Sequence, residues 1–298
     1  MIEHVSDTAF WVARHRANES ARPDALFQDP LAARLAGEHG EKLARSMPNA
    51  EMTGWAVVMR TVIIDELIAG AIAQGVDTVV NLGAGLDTRP YRMTLPASLH
   101  WIEVDHPHLI DFKEAQLADE APRCRLERVR LDLSDLPARR ALFARIQAEA
   151  SQVLVLTEGV VPYLAEAEVA ALADDLRALD RFRFWVTDYF SAQVLAYRRR
   201  SGVQAHMAQA PFRFEPADWL GFFAERSWKL LALRDFHAEG TARGRPIPLP
   251  RRIRVLLALT RWLPGSRKRQ KAGGTGYLLL TPDSGGPDRQ PGAAPASS

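Results

Sequence analysis

Strand-like and helix-like runs alternate along the middle of the chain. The strand-like runs are VDTVVNLGAG (76–85), LHWIEVD (99–105), LERVRLDL (126–133), QVLVLTEG (152–159) and RFRFWVTDYF (181–190). Between and before them, apolar positions recur at helical spacing in VVMRTVIIDELIAGAIA (57–73), LPARRALFARIQAEA (136–150) and EAEVAALADDLRALD (166–180). This alternation predicts an α/β fold, a parallel sheet with helices on both faces. Two later strands, WKLLALRDF (228–236) and GTGYLLLTP (274–282), fall outside the alternation and bring the strand total to seven.

The remaining stretches divide a single domain, 1–282, into parts. Residues 1–56 read as a helical cap with a Pro-containing turn, and 57–190 as the core. Residues 191–227, rich in Arg, aromatics and Pro, read as a lid or pocket wall. Residues 228–282 form a closing hairpin interrupted by a basic insertion. The tail DSGGPDRQPGAAPASS (283–298) has nothing to bury and is expected to be disordered.

Composition narrows the function classes. At 47% hydrophobic and 25% charged over 298 residues, the chain is expected to be a soluble globular protein. No apolar run reaches the ~18 residues of a membrane span, and the start has no signal-peptide core. Cys124 is the sole cysteine, which excludes an internal disulfide, argues against a Cys-based zinc site and makes a reducing cytoplasm the simplest home. The net charge of +2 argues against nucleic acid as a partner. Between Gly240 and Pro282, however, ten basic residues stand with no acid. They read as a solvated face around an amphipathic helix at 251–263, or else as a contact for an anionic substrate or membrane surface. The histidines are scattered without ligand spacing, so no metal site is expected.

The candidate chemistry sits where strands end. The first strand runs into GAGLD, in which Gly83, Ala84, Gly85 and Asp87 form a turn with room for a ligand against main chain. Thr88 stands where a dinucleotide fingerprint has its third glycine, which disfavours NAD. Asp105 ends the second strand, 22 residues beyond Gly83, where an acid accepts hydrogen bonds from ribose hydroxyls; the alternative is a cap on the next helix. At the end of the third strand, Asp132 and Leu133 offer a carboxylate and an apolar surface to an adenine, with Ser134 or Asp135 better placed as the helix cap. Glu158 and Gly159 end the fourth strand. An acid leaving an apolar strand needs a partner, either a cofactor or backbone amides. Arg60, inside an apolar helical run, either snorkels, pairs or grips a carboxylate.

Together these segments resemble one family. VVNLGAGLDTRPYR, with RTVIIDEL upstream, EVDHPHLIDFK, LDLSD, LTEGVVPYL and the N-terminal TAFWVARHRANESARPDALFQDPLAARLAG are similar to the leucine carboxyl methyltransferase family of class I S-adenosylmethionine-dependent methyltransferases. The resembling branch is bacterial and includes polyketide O-methyltransferases of secondary metabolism. The likeness covers about residues 6–190 by motif and extends to 282 by strand pattern. It implies a Rossmann-like sheet of order 3-2-1-4-5-7-6, with S-adenosyl-L-methionine as cofactor and S-adenosyl-L-homocysteine as product. It also implies that Arg60 binds the methionine carboxylate and that Gly83 and Gly85 line the methionine and ribose parts. Asp105 would hold the ribose, Asp132 and Leu133 the adenine, and Glu158 with Gly159 would lie against the cofactor. Arg16 falls in the part that closes over the active site.

The acceptor is the open question. A carboxylate, with a pKa near ~4, needs no base, whereas a phenol near ~10 does. No histidine is obviously placed as that base, which favours carboxyl methylation, with His15 and His206 as alternatives. Arg16, Tyr163 and Tyr189 are the candidate catalytic residues. Tyr189, Phe190, Tyr197, Phe212, Phe214, Trp219, Phe222 and Phe223 make the lid aromatic, which suits a flat small-molecule acceptor such as a polyketide-like acid or phenol. A nicotinamide-dependent oxidoreductase and a non-catalytic cofactor-binding protein are the competing readings.

Overall fold

A computed structural model describes residues 7–46, 50–200, 211–249 and 274–283. The basic run at 251–263, His206 and nearly all of the tail lie outside the described residues. Seven strands form one sheet: β1 (Thr78–Leu82), β2 (His100–Asp105), β3 (Arg125–Arg130), β4 (Val153–Thr157), β5 (Phe182–Phe190), β6 (Trp228–Asp235) and β7 (Thr275–Pro282). Their order is β3-β2-β1-β4-β5-β7-β6, as the family likeness implies. The first five are parallel, and β7 runs antiparallel between β5 and β6.

The strands alternate their side chains between two cores. Val80, Ile102, Val155 and Trp185 face one side of the sheet. Val79, Trp101, Leu154 and Val186 face the other. On the first side pack α6 (Leu136–Glu149) and α7 (Glu166–Arg177), which bring Phe143, Ile146 and Leu172 into that core. On the second side lies α3 (Ala50–Ala73), which begins seven residues before the expected start and contributes Met59, Ile63 and Leu67. β1 and β4 are buried throughout and read as nearly continuous apolar runs, interrupted only by Thr78, Asn81 and Thr157. β3, at the sheet edge, is half-exposed and ends at Arg130, three residues short of expectation, which leaves Asp132 and Leu133 in a loop.

The N-terminal part consists of α1 (Asp7–Ser20) and α2 (Ala32–Ser46), packed on each other and over the turn after β1. A short α4 (Arg89–Arg92) follows that turn, and α5 (Pro107–Gln116) follows β2. In the 191–227 region the described elements are α8 (Ala192–Arg200) and α9 (Trp219–Ala224), and α10 (Phe236–Ala242) follows β6. Among the described residues no helix is long and apolar enough to cross a membrane. Of the basic residues beyond Gly240, Arg243 is paired with Glu66 and Glu239, and Arg245 with Glu19 and Asp24, so this part of the run is ion-paired.

Candidate active site

The order reverses at β1, between β2 and β4, so the carboxyl ends of these strands open onto a crevice. The turn that closes β1 depends on glycine at two points. Gly83 has φ of 70° and a Cβ there would lie 2.5 Å from Val160 Cγ2. Gly85 has φ of 49°. Both are left-handed conformations that a side chain penalises. The Gly85 amide donates to Asp105 Oδ2 at 2.6 Å, and the His106 amide donates to Asp105 Oδ1 at 2.7 Å. Asp105 therefore does not cap α5. Its carboxylate is fixed by two backbone amides at the mouth of the crevice.

Behind the turn lies a buried ionic network. Arg89, fully enclosed, reaches Asp65 at 2.6 Å, Asp87 at 2.8 Å and Glu158 at 2.6 Å. Asp65, poorly spaced to pair with Arg60, pairs instead with Arg89 and Arg92. Asp87 also accepts from Asn81 Nδ2 at 2.8 Å and from the Arg89 amide at 2.9 Å. Burial would push the Asp87 carboxyl up; the charges of Arg89, Lys113 and Arg16 outweigh it and hold it well below the usual range. Asp87 thus braces the turn from behind.

Glu158 lies between two cations. Its Oε2 meets Arg89, and its Oε1 lies 2.8 Å from Arg60 Nε. That second contact is an ion pair without hydrogen-bond alignment, so the buried Arg60 Nε has no hydrogen-bond partner among the described residues. Burial raises the Glu158 carboxyl, and Arg89 and Arg60 bring it below its ordinary value.

The N-terminal helices are tied to the turn through Arg16. Its Nε donates to Asp29 Oδ2 at 2.8 Å and its Nη2 to the Leu86 carbonyl at 2.5 Å. Thr88, in the place of a third glycine, donates from Oγ1 to the same Asp29 oxygen at 2.7 Å. Arg16 reaches the cavity wall with its guanidinium committed to these partners.

The crevice is one cavity of about 1500 Å³. Gly83, Ala84, Gly85, Asp87, Asp105, Asp132, Leu133, Arg60, Glu158 and Gly159 all line it, so every expected cofactor residue is brought together. Asp132 is less free than expected: its Oδ1 accepts from the Ser134 amide at 2.9 Å, while Asp135 caps α6. Tyr163, Phe190 and Phe212 line the same cavity, with ring centroids of Tyr163 and Phe190 at 5.3 and 5.1 Å from that of Phe212.

Several expected residues lie elsewhere. Tyr189 faces the opposite side of β5 from Asp188 and Phe190 and packs on Trp219, outside the cavity. Phe214, Trp219, Phe222 and Phe223 pack on one another in the core, so the aromatic count of the lid is mainly core packing. His15 sits behind the wall against Trp11, where burial and then the Arg60 and Arg14 charges push it down to about 4.

Three residues escaped the sequence reading. Arg89 was visible only as part of DTRPYR. Asp188 stands at the carboxyl end of β5, the same position logic that singled out Asp105 and Glu158. Its carboxylate accepts from the Gly159 amide at 3.0 Å and from Tyr277 Oη at 2.8 Å, and both Asp188 and Tyr277 line the cavity.

The residues present fit S-adenosylmethionine. Glycines clear the space, carboxylates stand at the ends of β2 and β4, and a buried Arg60 retains an unmatched donor. Comparison with known proteins agrees. The sequence model of the leucine carboxyl methyltransferase family matches residues 9–177, more than half of the chain. A Parafrankia sp. protein is 36% identical over 185 residues, 59% of this chain and 59% of its own length. A Frankia alni protein is 32% identical over 258 residues, 82% of this chain and 88% of its own. Both are classed among S-adenosyl-L-methionine-dependent methyltransferases. A solved DUF574-family protein from Streptomyces avermitilis shares the fold at 15% identity, with a TM-score of 0.54 over 91% of this chain and 96% of that one. The chain therefore belongs to the leucine carboxyl methyltransferase family and is a class I, S-adenosyl-L-methionine-dependent methyltransferase.

Proposed function

We propose that the enzyme methylates oxygen, on a carboxylate or phenol of a small aromatic or polyketide-like molecule of secondary metabolism, in the cytoplasm. The observation that carries this reading is the single cavity joining the Gly83–Gly85 turn to the wall of Tyr163, Phe190 and Phe212. A flat acceptor laid on that wall lies in the same enclosure as the cofactor residues, and an aromatic lining suits such a molecule better than a peptide.

When bound, the cofactor supplies a methyl group made electrophilic by its sulfonium. The chain's part is alignment and the exclusion of water. Arg60 holds the methionine carboxylate, Gly83, Ala84 and Gly85 admit the methionine and ribose parts, and Asp105 takes the ribose hydroxyls. Asp132 and Leu133 take the adenine, Glu158 and Gly159 close the floor, and Asp87 supports the turn. The N-terminal helices serve as cap, and the described parts of the lid segment, 191–200 and 211–227, as lid.

Methyl transfer from labelled cofactor to a panel of aromatic acids and phenols tests the reading. Label in an ester or aryl ether supports it; label only in amines, thiols or carbon, or in no member of the panel, overturns it.

A further inference from the structure

Asp188 is a buried carboxylate to which the cofactor reading above gives no role. It lines the cavity from two residues before the end of β5, on the same side of the strand as Phe190 of the aromatic wall. Oδ1 accepts from Tyr277 Oη at 2.8 Å and, at 3.3 Å, from the Gly159 amide, which also donates to Oδ2 at 3.0 Å; this fixes the group and leaves a lone pair on Oδ2. We propose that Asp188 is the general base of the reaction and that the acceptor is accordingly an aromatic hydroxyl rather than a carboxylate. This rests on the O-methyltransferase reading above.

The charged and titratable groups that face Asp188 are Tyr277 from β7, Arg60 from α3, Glu158 after β4 and Tyr163 from the 3-10 turn Val161–Tyr163. Burial pushes the Asp188 carboxyl up to about 6, against the Tyr277 hydrogen bond, Arg60 and the Gly159 amide. A base of that strength is ionised at neutral pH and still takes up a proton. Tyr163, pushed up to about 12 by burial and the Asp188 charge, stays a neutral hydroxyl.

The step balances without a co-reactant. The acceptor O–H gives its proton to an Asp188 oxygen as the acceptor oxygen bonds to the methyl carbon. The carbon–sulfur bond breaks with its electron pair left on sulfur, and Asp188 then releases the proton to water. A carboxylate acceptor has no proton to give and brings a second negative charge to Asp188. The wall also carries a cation, Arg198, 3.8 Å over the Phe212 ring, so hydroxyl and carboxylate acceptors are both put to the test. The experiment separates the two.

Binding of 2-naphthol and 2-naphthoate is measured by calorimetry near pH 8 on protein saturated with S-adenosylhomocysteine. The expected result is 2-naphthol tighter by about tenfold or more in the wild type, with the preference lost in Asp188→Asn. S-adenosylhomocysteine affinity stays within about twofold in that variant. In turnover, kcat/KM for 2-naphthol rises through pH about 6. Tyr277→Phe, which takes away a donor, moves that limb to higher pH and covers the case in which Asp188→Asn folds poorly. Tighter 2-naphthoate, a preference unchanged in Asp188→Asn, or no binding of either compound overturns the proposal. So does a tenfold loss of S-adenosylhomocysteine affinity in Asp188→Asn, which assigns Asp188 to the cofactor. Failure of the wild type to bind S-adenosylhomocysteine strikes instead at the cofactor site.

Discussion

Arg89→Met removes the cation at the centre of the network behind the active site while keeping an unbranched side chain. Arg89 is 2% exposed and contacts Asp65, Asp87 and Glu158. Its loss strands Asp87 most, because Asp65 retains Arg92 and Glu158 retains Arg60. Breaking a buried pair from one side costs about 3–5 kcal/mol. With an unfolding entropy of about 2.1 cal/mol/K per residue, or roughly 0.6 kcal/mol/K for this length, that lowers Tm by about 5–8 °C. The pH dependence has a definite sign. Asp87 is depressed in the folded protein by Arg89, so the pair's contribution is present above the carboxyl's unfolded value near ~3.9 and is lost as pH falls. The deficit of Arg89→Met is therefore largest near neutrality and narrows below pH about 4. Calorimetric melting of both proteins across that range is the assay. A Tm within about 2 °C of wild type at neutral pH, or a deficit that widens on acidification, refutes the reasoning.

Gly83→Ala places a Cβ 2.5 Å from Val160 Cγ2 at a φ of 70°; S-adenosylhomocysteine affinity should fall about tenfold, equivalent to ~1.4 kcal/mol, and adding Val160→Ala should recover part of it, as titration calorimetry would show. Asp188→Asn should raise Tm at neutral pH. The folded carboxyl, at about 6, lies above its ordinary 3.8, so its contribution to stability is full below about pH 4 and is lost as pH rises toward 6. The gain near pH 7 is at most ~3 kcal/mol, and a wild-type Tm that rises steadily relative to the variant from pH 4 to 7 contradicts it. Arg16→Gln cuts the tie from α1 to Leu86, so amides of residues 86–88 should exchange with deuterium faster while those of β4 do not. Cys124, buried and pushed up to about 11 by burial and then Glu103, should resist alkylation near pH 8 until the protein unfolds.

The sheet was legible because its signals are local. Strands buried on both faces read as apolar runs, and all seven observed strands start and end within three residues of their expected limits. The candidate cofactor residues other than Arg60 were legible because each stands at or just after a strand whose end could be located; Arg60, inside α3, drew its role only from the family likeness. What escaped were pairings between distant elements. Arg89 and Glu158 are far apart in sequence and meet only because β1 and β4 are neighbours. Asp188 gains its donor from β7, across an antiparallel pair that spacing does not reveal. The aromatic lid divides for a related reason: composition counts rings without saying which way the chain turns them, and Phe214, Trp219, Phe222 and Phe223 turn inward while Phe190 and Phe212 line the cavity. Tyr189 stands one position of strand alternation from Asp188 and Phe190, which line the cavity.

The central claim is that the turn after β1, with Asp105 held by the Gly85 and His106 amides, is an S-adenosylmethionine site. Titration calorimetry of S-adenosylhomocysteine into the wild type and Asp105→Ala tests it most directly. The expected result is binding to the wild type and a loss of at least ~1.5 kcal/mol in the variant, the range of a charge-assisted hydrogen bond. Equal affinity for the two proteins, or a wild type that binds NAD in preference, contradicts it.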